Sequence, residues 1–123
     1  MSEQISVVVP TKDRDDTLRS CLYSLLGQQY PAEDYEIIVA DDAASEKTRK
    51  TVEDMVPGAG PAIRYVAVQG RHGPAAARNT GVRASRFPVL AFTDDDCLHA
   101  ADWLSKGVSA LTGEASAVCG KTI

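Results

Sequence analysis

Short β-branched apolar runs alternate with amphipathic segments along the chain, and several of the runs end in polar residues. Residues 5–9, Ile5-Ser6-Val7-Val8-Val9, predict a strand that stops at Pro10. Beyond the polar loop Thr11-Lys12-Asp13-Arg14, Asp15, Asp16 and Thr17 suit the cap and first turn of a helix. Leu18, Cys21, Leu22, Leu25 and Leu26 then recur at helical spacing until Gly27 loosens the helix and Pro31 closes it. A second strand is predicted at 35–40, running into Asp41-Asp42, and Ser45 caps a helix that reaches Met55. Pro57-Gly58-Ala59-Gly60-Pro61 is a loop, and 63–68 a third strand. Gly70-Arg71-His72-Gly73 leads into Pro74, well placed at the first position of an alanine-rich helix over 74–85. A fourth strand at 89–93, a helix at 101–111 and a fifth strand at 116–119 complete the series. Strands alternating with helices at this rhythm predict an α/β fold: a Rossmann-like, mainly parallel sheet with helices on both faces. No linker divides residues 1–123, which are expected to form a single domain.

The most informative stretch is Pro88-Val89-Leu90-Ala91-Phe92-Thr93-Asp94-Asp95-Asp96-Cys97, an apolar run that enters three carboxylates. Such a run predicts a strand buried on both faces, with the acids at its carboxyl end. Ligands of open α/β sheets bind beyond that end of the strands. Alternation puts Asp94 and Asp96 on one side and Asp95 on the other. Two carboxylates sharing a side repel unless a proton or cation lies between them, and hard oxygen ligands suit Mg²⁺ or Mn²⁺. Thr11 to Arg14 and Asp41-Asp42 also follow strands, so three polar clusters are expected to converge on one edge of the sheet. Of the Asp41-Asp42 pair, one suits a base or ribose and the other the backbone N–H groups of its own loop. In Gly73 to Gly81, the helix start suits phosphate, and Arg78 lies one turn in.

Composition narrows the function. A net charge of −4, from 13 basic and 17 acidic residues, argues against a general nucleic-acid binder. Cys21, Cys97 and Cys119 are too few and too irregular for a disulfide framework, which points to reduced thiols and a cytoplasmic setting. No signal peptide or bilayer-spanning apolar run is present, so a membrane association would come from a partner or from further sequence. Gly120-Lys121-Thr122 is not the end of a P-loop, since position 115 is Ala where that motif needs Gly. His72 and His99 have no partner at metal-ligand or triad spacing. Trp103 and Leu104 fit core or loop anchors better than a substrate platform.

Taken together, SVVVPTKDR (6–14), LLGQQYP (25–31), YEIIVADDAASEKT (35–48), GPAAARNTGVRAS (73–85) and VLAFTDDDCL (89–98) resemble the nucleotide-binding half of the inverting GT-A glycosyltransferases of family two. The resemblance implies a Mn²⁺- or Mg²⁺-dependent enzyme that moves a sugar from a nucleotide-diphosphate donor, UDP-sugar by default, to an acceptor hydroxyl. That acceptor would be a saccharide, lipid or protein. It implies that Pro10, Thr11 and Arg14 lie along the nucleotide and that Asp42 takes the base edge. Arg78 would sit near the pyrophosphate or brace the acidic loop. Asp94 would lie near the ribose, Asp95 would fill the variable place of the motif, and Asp96 would bind the metal. Ala43-Ala44 and Cys97 depart from the family's usual Gly-Ser and further Asp. The family's acceptor site and catalytic base are expected beyond Ile123, so this chain would supply the donor-binding part and be inactive alone. An oligomer remains open.

Two other classes compete. A nucleotide-sugar-binding module without turnover is favoured by the missing base. A haloacid-dehalogenase-type phosphotransferase is disfavoured because its motif follows the first strand and has Thr or Val where Leu98 stands. Nucleotidyltransferases need a Gly-rich basic loop after strand one, and Pro10 to Asp13 contains no Gly.

Overall fold

Strand β1, Ile5–Thr11, is the middle of the sheet and is almost wholly buried. The structure, a computed structural model, describes residues 3–55 and 60–109 and the backbone of 117–119. Helix α1 spans Asp15–Leu26, β2 Tyr35–Asp41, α2 Glu46–Asp54 and β3 Ala62–Ala67. Helix α3 follows at Pro74–Ala84, then β4 at Val89–Phe92, α4 at Trp103–Ser109 and β5 at Ala117–Cys119. The five strands pair in parallel in the order β3-β2-β1-β4-β5. Most of the 57–61 loop, the end of the predicted 101–111 helix, Ser116 and Gly120-Lys121-Thr122 lie outside the described residues, as does the Cys119 side chain.

One face of the sheet packs Ile5, Val7, Val9, Ile37, Val39, Val89 and Ala91 against Leu18, Leu22 and Leu25 of α1, Val52 of α2 and Leu104 of α4. Trp103 packs against this core from its edge, as an anchor. The opposite face is covered by α3, which crosses β1 and β2 closely. Gly81 makes this approach possible, because a Cβ there would lie 2.3 Å from Val8 Cγ1. Helices therefore cover both faces, but unequally. On the α3 side, Leu90 and Phe92 stay partly exposed, so β4 is not the doubly buried strand that its apolar run predicts.

Two further expectations are corrected. Strand β1 does not stop at Pro10 but continues to Thr11, pairing Pro10 with Ala40 and Thr11 with Asp41 of β2. Val8 accepts from Thr93 N–H and Thr11 from Asp42 N–H, so alternate residues of β1 face β4 and β2. Pro10 shares the orientation of Val8, and β4 pairing has ended at Phe92. Its missing N–H therefore leaves no ladder bond unmade. Helix α1 does carry Asp15 and Asp16 in its first turn, but Arg14 occupies the cap position and no side chain caps it. The Asp15 carboxylate instead accepts from Thr48 and Thr51 of α2 at 2.7 and 3.4 Å, holding the two helices together. Ser45 caps α2 as expected, accepting from Thr48 N–H.

Candidate functional site

The three polar clusters do meet. Beyond the carboxyl ends of β1, β2 and β4 lies a cleft of about 350 Å³, closed on its fourth side by the start of α3. Pro10, Thr11, Arg14, Asp42, Arg78, Asp94 and Asp95 all line it, together with Lys12, Gly73, Pro74 and Ala77. Every one of the seven nucleotide-sugar positions expected from sequence therefore stands at one cavity. Asp96 is the exception. It faces a neighbouring hollow of about 460 Å³ between the α1 start and the acidic loop, lined also by Asp13, Asp15, Asp16 and Lys47.

Of the Asp41-Asp42 pair, Asp41 holds the N–H groups of its own loop, and Asp42 reaches the cleft. Asp41 is fully buried, and its two oxygens accept from Ala43 N–H, Ser45 N–H and the Tyr65 hydroxyl at 2.7–3.0 Å. Burial and the charge and hydrogen bond of Asp41 push the Tyr65 hydroxyl far up. Asp42 points into the cleft, gripped by His72 and by the N–H of Gly73. The hydrogen bond from His72 holds the Asp42 carboxyl below its ordinary range, with Gly73 N–H and Lys12 adding to the effect and desolvation opposing it. Gly73 adopts φ +115, a conformation that suits glycine, and so delivers that N–H one residue before α3 begins. His72 was invisible at sequence level because its partner lies 30 positions away.

The acidic triplet leaves the strand as a turn, closed by Cys97 N–H donating to the Asp94 carbonyl at 3.2 Å. The thiol of Cys21, on α1, donates to the same carbonyl at 3.5 Å. Burial, with the nearby Cys97 and three carboxylates, pushes Cys21 up to about 12, so it stays a protonated donor. The expected alternation survives in the turn: Asp94 and Asp96 are exposed and Asp95 is buried. Thr11 Oγ1 donates to Asp95 at 2.8 Å and Arg14 lies 3.4 Å from its other oxygen. Burial pushes the Asp95 carboxyl up, outweighing the Thr11 hydrogen bond and the Arg14 charge. Asp95 thus ties the β1 loop to the acidic turn as well as lining the cleft. The turn is fixed from behind too, since Gln28 donates to Ala100 and accepts from Leu104 N–H, and Gln29 N–H donates to Ala101.

Asp94, Asp96 and Cys97 each offer one ligand atom, all within 4.8 Å of one another. Two exposed carboxylates on one side of a turn suit a hard divalent cation, with the thiol as a softer third donor. The residues present thus fit the metal that the resemblance implies. Arg78 is exposed on the cleft wall and makes no ion pair among the described residues, so it does not brace the acidic turn. No described helix is long and apolar enough to cross a membrane.

Known proteins match both the sequence and the fold. Residues 6–123 match the family model described as glycosyl transferase family 2. The glycosyltransferase AglE of Haloferax volcanii is 32% identical over 109 residues, covering 89% of this chain and 36% of that protein. The validoxylamine A glucosyltransferase of Streptomyces hygroscopicus subsp. limoneus is 35% identical over 117 residues, covering 92% of this chain and 25% of its own length. The chain thus spans about a quarter to a third of the length of these two relatives. A mannosyltransferase from Pyrobaculum calidifontis, solved with GDP-Man and Mn²⁺, superposes with a TM-score of 0.81 at 28% identity, over 93% of this chain and 34% of that one. Its sheet, its polar strand ends and these matches agree: the chain belongs to glycosyl transferase family 2, with the GT-A fold.

Proposed function

We propose that the chain is the donor-binding part of an inverting, metal-dependent glycosyltransferase, transferring a sugar from a nucleoside diphosphate to an acceptor hydroxyl. The observation that carries this is the cleft at the carboxyl edge, where a hydrogen-bonded carboxylate, a helix start and an arginine with no ion pair among the described residues converge opposite the exposed Asp94, with Asp96 on the adjoining side of the same turn. The roles follow from chemistry. Asp42 accepts hydrogen bonds from the base, and Thr11 and Arg14 line the nucleotide's path while holding Asp95. Arg78 and the N–H groups in the first turn of α3 suit the diphosphate. Asp94 and Asp96 are the residues that would hold Mn²⁺ or Mg²⁺, with Asp94 also close to the ribose. The cation supplies positive charge for the diphosphate as it leaves. The related mannosyltransferase solved with GDP-Man and Mn²⁺ supports both the donor class and the metal. The acceptor and the base that deprotonates it are assigned to no residue of this chain.

Calorimetric titration with UDP, GDP and dTDP, with and without Mn²⁺, tests this reading. At least one nucleotide should bind, and bind more tightly with Mn²⁺. Equal affinity in EDTA for every nucleotide that binds would remove the metal from the account.

A further inference from the structure

Between β3 and α3 the chain sets against Asp42, a residue of the cleft wall, a side chain that the cleft's expected chemistry leaves without a task. His72 Nδ1 lies 2.8 Å from Asp42 Oδ1 and 3.1 Å from the Asp42 carbonyl oxygen. A carboxylate and a carbonyl only accept, so Nδ1 is the nitrogen that carries the proton, whether the ring is neutral or charged. Gly73 N–H reaches the same carboxylate at 3.3 Å from Oδ1 and 3.2 Å from Oδ2. Oδ1 thus takes the short bond from His72, while Oδ2 has only a shared, longer one and keeps lone pairs for the cleft that Asp42 lines. The imidazole itself is mostly exposed, at 57%, so it is not held there by burial.

We propose that His72 is a specificity-determining residue: its Nδ1–H clamps Asp42 so that the carboxylate's open edge accepts a ring N–H from the base of the nucleoside diphosphate. The proposal rests on the reading of the cleft as the donor site. Uracil, thymine and guanine carry a ring N–H at their pairing edge, whereas cytosine and adenine carry an acceptor lone pair there. A fixed, ionised carboxylate accepts from the first group and faces lone pair to lone pair with the second. Released from His72, Asp42 is free to rotate toward solvent, and the choice between the two groups weakens.

The test is calorimetric titration of the full-length protein with UDP and CDP in Mn²⁺, using three substitutions. His72→Ala should reduce the preference for UDP over CDP about two- to tenfold, the worth of one ordinary hydrogen bond, and leave the Mn²⁺ enhancement as it was. His72→Asn, whose amide nitrogen falls near the place of Nδ1, should restore the preference, whereas His72→Gln, with its nitrogen one bond further out, should not. Nitrogen-15 NMR should find neutral His72 protonated at Nδ1. If His72→Ala weakens UDP and CDP equally, His72 merely fastens its loop and the proposal is overturned. Neutral His72 protonated at Nε2 overturns it as well. A wild-type protein that binds neither nucleotide removes the donor-site reading, and this proposal with it.

Discussion

Two groups of charged residues occupy opposite ends of the same strands, and their surroundings could hardly differ more. Near the amino end, Glu36 of β2 is fully buried, yet both of its oxygens are taken. Ser6 donates to it at 2.6 Å, Arg64 and Arg86 side chains each at 3.0 Å, and Arg86 N–H at 2.8 Å. Arg64 also donates to the Ala84 carbonyl, so the network fastens the end of α3 to three strands. At the carboxyl end, Asp94, Asp96 and Arg78 are exposed, and their side chains accept or donate almost nothing within the described residues. A buried charge must be paired to be tolerated at all, and pairing that fills both oxygens, as at Glu36, leaves no capacity for a ligand. Charges set at strand ends without partners keep that capacity. Satisfaction, rather than charge, separates Glu36 from Asp94, Asp96 and Arg78.

The comparison breaks most visibly at Glu36. Glu36→Ala leaves two arginines beside a buried hole and should cost about 3 kcal/mol by denaturant unfolding, the low end for breaking a buried pair because both arginines are partly exposed. Folded Glu36→Ala protein should bind nucleotide as the wild type does. The pH response has a definite sign. Burial pushes the Glu36 carboxyl up, but the hydrogen bonds from Ser6, Arg86 and Arg64 outweigh it, and the folded value lies below the ordinary 4.5. Its contribution is therefore full above that ordinary value and is lost as pH falls through the folded one. Glu36→Gln should flatten that acid limb in unfolding curves measured across it.

Arg78→Ala should do the reverse of Glu36→Ala, sparing stability and weakening nucleotide binding by about 1.5–3 kcal/mol, the range for hydrogen bonds to charged groups. Unchanged affinity in a folded variant would return Arg78 to the solvated surface. Gly81→Ala probes the packing between the two ends. Its Cβ meets a β-branched valine that cannot turn aside, and overpacking of this kind costs about 1–3 kcal/mol. Thermal unfolding would read it, with base preference unaltered. The smallest expected effect is that of Asp96→Ala on stability, within about 0.5 kcal/mol and toward a more stable protein, since a repelling neighbour of Asp94 is removed.

Much of this molecule was legible from local pattern. Leu18, Leu22 and Leu25 recur at helical spacing and are buried, and the carboxylate-ending strands do converge on one cleft, because a parallel sheet aligns all its strand ends. What stayed hidden depended on distant neighbours. Pro10 reads as a strand stop until β4 is seen to end before it. Asp15 reads as a helix-start acid, although its oxygens belong to hydroxyls more than thirty positions later. Glu36 sits in an apolar run whose outline announces burial but not the arginines that make it tolerable. The same holds for His72 and Asp42. A strand-end Asp signals a site, while the residue that aims it comes from another loop.

The central claim is that two carboxylates at the carboxyl edge divide the donor between them, Asp42 reading the base and Asp96 holding the metal. A matrix of Asp42→Ala and Asp96→Ala against two nucleotides, with and without Mn²⁺, tests it directly. Asp42→Ala should lose discrimination between the nucleotides and keep its Mn²⁺ dependence. Asp96→Ala should lose the Mn²⁺ enhancement and bind as the wild type does in EDTA. If Asp42→Ala abolishes the metal dependence while Asp96→Ala retains it, the division of roles is reversed and the account fails at its centre.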